Sequence, residues 1–288
     1  MGNRYRKFIG NSMILKAITT IFIILCFSGA AASQNEVHII DSATGLAMHK
    51  YRIVNPQDSA ENDLYILKID PEYYEFQLLA AIELDSVSRT VSQWCAEFGY
   101  ELCFNAGMYA ADNLTPLGYC KNNGRVLNPH VNYHKAVLAF SPENDSIVPV
   151  TIINRGCNDL DSFENRYGSM VQSVRMLGCA GGNVWNQSDK KHSILALATD
   201  SAGMVFLLFS QAPSSVHDFI NNVKALEQGL EQMIYLEGGI PAALYVRTNN
   251  YSFNISGVAE DLWPVRISGS GLTKLPNVIA VKKKADRR

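Results

Sequence analysis

Charge is scarce in this sequence, and the short motifs that announce the commonest chemistries are missing. Asp, Glu, Lys and Arg make up 18% of the 288 residues, and the formal net charge is −2. No global field therefore draws in nucleic acid, and the basic end "KKKADRR" reads as a solvated tail. There is no G-x-S-x-G, no P-loop and no H-E-x-x-H, so serine-hydrolase, nucleotide-binding and zincin readings lose their main support. No C-x-x-C pair occurs, which leaves zinc and dithiol-redox readings without a signature. Internal repeats, low-complexity blocks and long Pro/Gly/Ser linkers are absent too.

What is present is a chain with a core: 47% of the residues are hydrophobic. Arg4, Arg6 and Lys7 precede the apolar run "AITTIFIILCFSGAAAS", which ends in small residues, including Ala30 and Ala32. A basic flank, a short apolar stretch and an A-x-A-like site predict a secretory signal peptide over residues 1–33. The protein is then exported, to the periplasm, the cell surface or the medium, with no stable membrane span left after the signal is removed. Leu25 is too bulky for a lipobox, so Cys26 belongs to the discarded segment. Five cysteines remain: Cys95, Cys103, Cys120, Cys157 and Cys179. An odd number means at least one free thiol, or a pairing that spacing does not resolve.

Residues 34–288 are expected to form one domain. Residues 64–70 and 76–82 look like paired strands. Val91, Trp94, Cys95 and Phe98 have the i, i+3, i+4, i+7 spacing of an amphipathic helix, and Gly99 stops it. "ELCFNAG" resumes as a strand, and Asn123-Gly124 is the favoured turn pair of a hairpin. Further strands are expected at 135–140, 147–154 and 171–177, with a hairpin turning at Ser201. Ser215 and Asp218 resemble a capping box for a helix whose inner face is Val216, Phe219, Ile220, Val223 and Leu226. "MIYLEGGIPAALYV" reads as strand, turn, strand. The fold class expected is α+β, with a mixed, largely antiparallel sheet and a few packed helices.

Several segments could hold chemistry. Asn105, Gly107 and Tyr109 stand where a strand breaks into a loop, either a site or merely a tight turn. Gln172 and Arg175 lie in a run suited to burial and would face opposite sides of a regular strand. A buried arginine needs an anion or an acceptor network, so Arg175 is either a structural ion pair or a ligand for an anion. Lys190 and Lys191 precede His192 in a polar loop; a lone histidine is not a catalytic signal. Asp159, Asp161 and Glu164 form a sparse acidic cluster without the glycine and terminal glutamate of a calcium loop. Glu237 ends an apolar strand, where a carboxylate is costly to bury, and Gly238 and Gly239 then let a ligand approach the backbone.

Taken in order, these segments resemble the phosphodiester glycosidase family. "FNAGMYAADNLTPLGYCKNNGRVLN" is similar to its N-G-G-M-F…P-x-G…G-K region, and "VQSVRMLG" to its Q-S-x-P/R-M-L strand. "ILALATDSAGMVFLLFS" resembles its G-x-D-x-x-G hairpin, "SVHDFINNVKAL" the helix that follows, and "YLEGGIPAALYV" its L-D-G-G-x-S-x-x-L motif. The resemblance is strongest over residues 100–250. Two departures stand out: Glu237 replaces the usual Asp, and Pro241 and Ala242 occupy the region of the usual Ser.

The resemblance implies hydrolysis of a sugar-1-phosphodiester to sugar and phosphomonoester. The substrate is then a carbohydrate or glycosyl-phosphate, such as an exopolysaccharide or a surface glycan, and no cofactor is implied. Arg175 would hold the phosphate with help from Lys190 or Lys191, Asn105 would orient the sugar, and Glu237 would serve as nucleophile, base or orienter. Gly107, Tyr109, Gln172, Gly238 and Gly239 complete the substrate-binding set. The alternative is a non-catalytic glycan-binding or envelope-assembly protein on the same fold.

Overall fold

The computed structural model describes residues 35–41, 45–54, 61–258 and 273–285. The expected signal segment, Cys26 and the last residues of the basic tail lie outside them. The strands are β1 (Asn35–Asp41), β2 (Leu46–Val54), β3 (Glu61–Ile69), β4 (Tyr74–Ala80), β5 (Leu102–Asn105), β6 (Cys120–Asn122), β7 (Arg125–Asn128) and β8 (Ala136–Pro142). They continue as β9 (Val150–Asn154), β10 (Tyr167–Arg175), β11 (His192–Asp200), β12 (Val205–Ser214), β13 (Leu230–Gly238), β14 (Ala243–Arg247), β15 (Ser252–Ser256) and β16 (Asn277–Lys283). Among the described residues three α-helices and a 3-10 turn at Ala81–Glu83 interrupt them: α1 (Val91–Phe98), the single turn α2 (Asp161–Glu164) and α3 (Val216–Leu226).

Two sheets result. The larger runs β1-β2-β3-β12-β11-β13-β10-β6-β7, with β8 pairing both β10 and β9; the smaller runs β15-β14-β5-β16-β4. Among the described residues every strand pairing is antiparallel. The architecture is thus mainly β, with two antiparallel sheets and few helices, rather than one mixed sheet.

The main core lies between the sheets. Leu207, Phe209 and Leu236 from the larger sheet meet Phe104, Leu244, Ile279 and Val281 from the smaller. α3 covers the outer face of the larger sheet with Val216, Phe219, Ile220 and Val223. α1 covers the smaller sheet with Val91, Trp94 and Cys95 against Cys103, Tyr245 and Ala280. Each large apolar side chain so buried contributes about 1.5–3 kcal/mol, which is why the helical periodicity predicted both contacts.

Local signals were accurate. Gly99 ends α1 in the left-handed conformation as expected, and Thr90 and Gln93 add a reciprocal capping box that the sequence reading did not single out. Ser215 accepts from the Asp218 N–H at the start of α3, but the Asp218 carboxylate accepts from the Ser215 hydroxyl instead of the Ser215 N–H, so the expected box is half formed. Asn123 and Gly124 both have positive φ between β6 and β7, as a type I′ turn requires. Pairing was less legible. β3 and β4 are sequence neighbours but do not pair: β3 joins β2 and β12, and β4 joins β16. Likewise β13 and β14 are no hairpin, because β14 pairs with β5 and β15 in the other sheet. The turn after Glu237 therefore carries the chain from one sheet to the other.

Candidate functional site

The end of β13 is irregular in a way that explains its residues. Against β11 the register shifts: Leu195 pairs with Glu237 but Ala196 with Tyr235, so Leu236 is an extra residue in β13. Such a bulge breaks the alternation of side chains and re-aims those that follow. Gly238 then comes to lie against Tyr235 and His192, and a Cβ there would overlap the Tyr235 hydroxyl. Gly239 has φ +67°, a conformation that disfavours any other residue, and its N–H donates to Ser193 O at 2.8 Å. One glycine is set by space and the other by the turn.

Asn105 secures that turn from the second sheet. It is buried at the end of β5, its Nδ2 donating to Pro241 O at 3.1 Å and its Oδ1 accepting from Ala243 N–H at 2.8 Å. Both ends of the amide are thereby engaged with backbone, so Asn105 holds the crossover that carries Glu237. The chain leaves β5 through Gly107, whose Cβ position lies 3.2 Å from Val171 on β10. Tyr109 follows, bridged to Pro116, which folds the loop back on itself.

Electrostatics single out Glu237. Burial raises its carboxyl to about 7, opposed by one hydrogen bond from the Gly238 N–H to Oε1 at 3.0 Å. Among the described residues no cation offsets the burial. Burial first, and the Glu237 charge second, push up the phenols of Tyr109 and Tyr235, which places both rings within reach of the carboxylate's field. The Tyr235 hydroxyl lies 3.1 Å from His192 Nε2, and its ring packs beside Trp185, whose indole N–H donates to Arg175 O at 2.9 Å. His192, Tyr235 and Trp185 thus surround the carboxylate's strand end, although none gave a decisive sequence signal. The one clue was Tyr235 two residues before Glu237.

The other candidates fall around this centre unevenly. Gln172 is buried, and its amide is spent on backbone: Oε1 accepts from Tyr119 and Asn132 N–H, and Nε2 donates to Asn132 and His134 carbonyls. It fastens the loop beyond Gly107 and Tyr109 to β10. Arg155, which the sequence did not single out, donates to the same two carbonyls at 3.0 and 2.9 Å.

Arg175 does not join Glu237. It pairs with Ile234, three residues earlier in β13, and its guanidinium donates to Asn154 Oδ1 at 3.2 Å and lies against Gly156. Gln172 and Arg175 do face opposite sides, as their spacing requires. Lys190 and Lys191 are exposed and immediately precede His192. In the acidic cluster, Asp159 caps the Asp161 N–H and Glu164 accepts from Tyr119 Oη at 2.6 Å.

A cleft of about 1130 Å³ lies elsewhere, lined by residues such as Asp70, Tyr74, Asp200, Glu231 and Lys284. It contains none of these candidates. Glu231 and Glu237 stand at opposite ends of β13, roughly 20 Å apart at the rise of an extended strand. The buried carboxylate and this cleft are therefore distinct features, and the perturbed carboxylate is the stronger marker of a reaction site.

The protein is thus a two-sheet β scaffold with outer helices, carrying a desolvated carboxylate where the chain crosses between sheets. Residues 98–282 match the family model for phosphodiester glycosidase, more than half of the sequence, and the chain belongs to that family. Its fold is similar to the catalytic domain of zebrafish N-acetylglucosamine-1-phosphodiester α-N-acetylglucosaminidase, solved in a form auto-inhibited by its pro-peptide. That match has a TM-score of 0.60 and 11% identity over 89% of this chain and 85% of that one. A hypothetical protein from Synechocystis is similar with a TM-score of 0.53 and 11% identity, over 82% of this chain and 62% of that one. An exported-type protein from Burkholderia pseudomallei follows with 0.52 and 10%, over 78% and 74%. At these identities the structural likenesses establish the fold. No curated protein matches the sequence.

Proposed function

We propose that this protein is an exported hydrolase that cleaves a glycosyl-phosphate linkage, with Glu237 as its reacting carboxylate. The observation that carries this reading is the burial-raised carboxyl of Glu237 at the crossover between the sheets, in a chain of the phosphodiester glycosidase family. The basic, then apolar, N-terminus supports export.

The anomeric carbon–oxygen bond breaks, and the phosphomonoester departs with the bonding electrons. A phosphate ester leaves readily, so little proton donation to it is needed. A water must still be activated. Among the described residues neither a cation nor a second carboxylate contributes to the raised carboxyl of Glu237, and Glu237 is assigned as a single base acting on that water. Glu237 takes one proton from the attacking water, and the sugar leaves with inverted anomeric configuration. Tyr109 and Tyr235, both held neutral, can donate hydrogen bonds to sugar hydroxyls or phosphate oxygens. Lys190 and Lys191, next to His192, supply positive charge for the phosphate. Asn105 and Gln172 act by positioning the two loops.

The test is turnover of a sugar-1-phosphodiester by the wild type and Glu237→Gln, with the product anomer read by NMR before mutarotation. The expected results are a loss of at least about 10²-fold in the variant and inversion in the wild type. Full activity in Glu237→Gln sinks the assignment.

A second reading, a non-catalytic glycan-binding protein, is favoured by the separate cleft at the opposite end of β13. It predicts saturable phosphoglycan binding without turnover, weakened by substitutions at Tyr73 and Glu231 rather than at Glu237.

A further inference from the structure

Five cysteines follow the expected signal segment, and one pair is joined: Cys157 and Cys179 form a disulfide with their Cα atoms 6.0 Å apart. Cys95, Cys103 and Cys120 are buried free thiols. Two of these are neighbours. Cys95 lies on the inner face of α1 and Cys103 on β5, in the same apolar cluster, and both are almost fully excluded from solvent. The two thiols are close enough for each to feel the other's charge. α1 packs on β5 so that both side chains enter one apolar cluster, and a disulfide requires only that their Cβ atoms come within its short span. Between them the chain makes one tight reversal through Gly99, so the loop they would close is short.

We infer that Cys95 and Cys103 are a disulfide-forming pair that staples α1 to β5, leaving Cys120 as the one unpaired cysteine after the signal segment. The oxidant is a disulfide carrier of the protein-thiol or glutathione class. The Cys95 thiolate attacks a carrier sulfur and releases one carrier thiol. The Cys103 thiolate then attacks the Cys95 sulfur and releases the second. The cysteine pair loses two electrons and two protons, and the carrier disulfide is reduced to two thiols. Because both sulfurs are buried in the folded chain, the exchange takes place before α1 docks.

The pairing accounts for the odd cysteine count. Cys120 is left in the core, and burial, with Glu83 adding to it, pushes its thiol up to about 12, where little reactive thiolate exists. The staple also bears on the candidate site. Cys103 precedes Asn105 by two residues in β5, the strand whose end holds the turn after Glu237.

The test refolds the full reduced chain in a glutathione redox buffer, blocks free thiols with an alkylating agent under denaturing conditions, and digests with trypsin and glutamyl endopeptidase. Cleavage after Arg89, Glu97, Glu101 and Lys121 separates residues 90–97, which contain Cys95, from residues 102–121, which contain Cys103 and Cys120. The expected result is a single species joining the two peptides, with one alkyl group on Cys120, that falls apart on reduction. Cys103→Ser should release residues 90–97 with Cys95 alkylated. Recovery of that alkylated peptide from the wild type overturns the inference, as does a Cys103–Cys120 bond inside residues 102–121 or a bond from Cys95 to Cys157 or Cys179.

Discussion

Asn105 grips Ala243 across the two sheets: its buried Oδ1 accepts the Ala243 N–H at 2.8 Å, while its Nδ2 reaches Pro241 O at 3.1 Å. The amide therefore fixes the turn that follows Glu237 from a strand in the opposite sheet. Asn105→Ala removes both bonds and leaves a buried N–H and a half-buried carbonyl unpaired, which should cost about 2–4 kcal/mol. Urea unfolding measures this. Asn105→Asp keeps an acceptor for Ala243 but abandons the Pro241 carbonyl, so its loss should be distinct from that of the alanine variant.

Gly238 is predicted to be irreplaceable for a different reason. A Cβ at that position overlaps the Tyr235 hydroxyl. Gly238→Ala should destabilise by about 1–3 kcal/mol, as overpacking does. Tyr235→Phe removes the overlapped oxygen, so a double-mutant cycle should show a positive coupling, with the alanine tolerated better in the Phe background.

Glu237 sets a pH dependence in two observables. As a base it must be ionised, so kcat/KM should rise with pH and level off above about 7. For stability the sign is opposite. The carboxyl's ordinary value is 4.5 and its folded value is about 7, so the folded state binds the proton more tightly. The resulting stabilisation is full below about 4.5 and is lost as pH rises through about 7. Thermal melts of Glu237→Gln against wild type should show the variant's relative stability increasing from pH 5 to pH 8. A rate that instead falls through pH 7 would make Glu237 an acid.

The cations should separate by role. Arg175 donates to Asn154 and packs on Gly156, so Arg175→Ala should lower stability with little change in KM. Lys190→Ala with Lys191→Ala should leave stability nearly unchanged and raise KM several-fold, more at low salt than at high salt. Steady-state kinetics at two ionic strengths, paired with melting curves, distinguishes the two outcomes.

The sequence was most informative where the physics is local. The 3.6-residue spacing of α1 and α3 depends on which face of a single helix is apolar. The Ser215 cap and the Asn123-Gly124 turn involve groups only a few residues apart. Glu237 was conspicuous for a comparable reason, since a carboxylate closing an apolar strand conflicts with its own neighbours. The spacing of Gln172 and Arg175 correctly implied opposite faces, but not which of them comes near the crossover.

Strand partnership was beyond the reach of such reasoning. β3 and β4 have compatible patterns and a short connection, as do β13 and β14, yet both pairs divide between sheets. An alternating strand satisfies its apolar face against any suitable partner, so its own pattern does not specify which one it takes. The bulge at Leu236 was equally hidden, because it exists only relative to β11. By itself, then, the sequence determined α1 and α3, their buried faces, the Asn123-Gly124 turn and the oddity of one carboxylate. Only tertiary structure decided that the oddity sits at a crossover, that Asn105 and Gln172 turn their amides to backbone, and that Arg175 goes elsewhere. Those outcomes depend on contacts between segments far apart in the chain, and long-range register is a property of the assembled sheets.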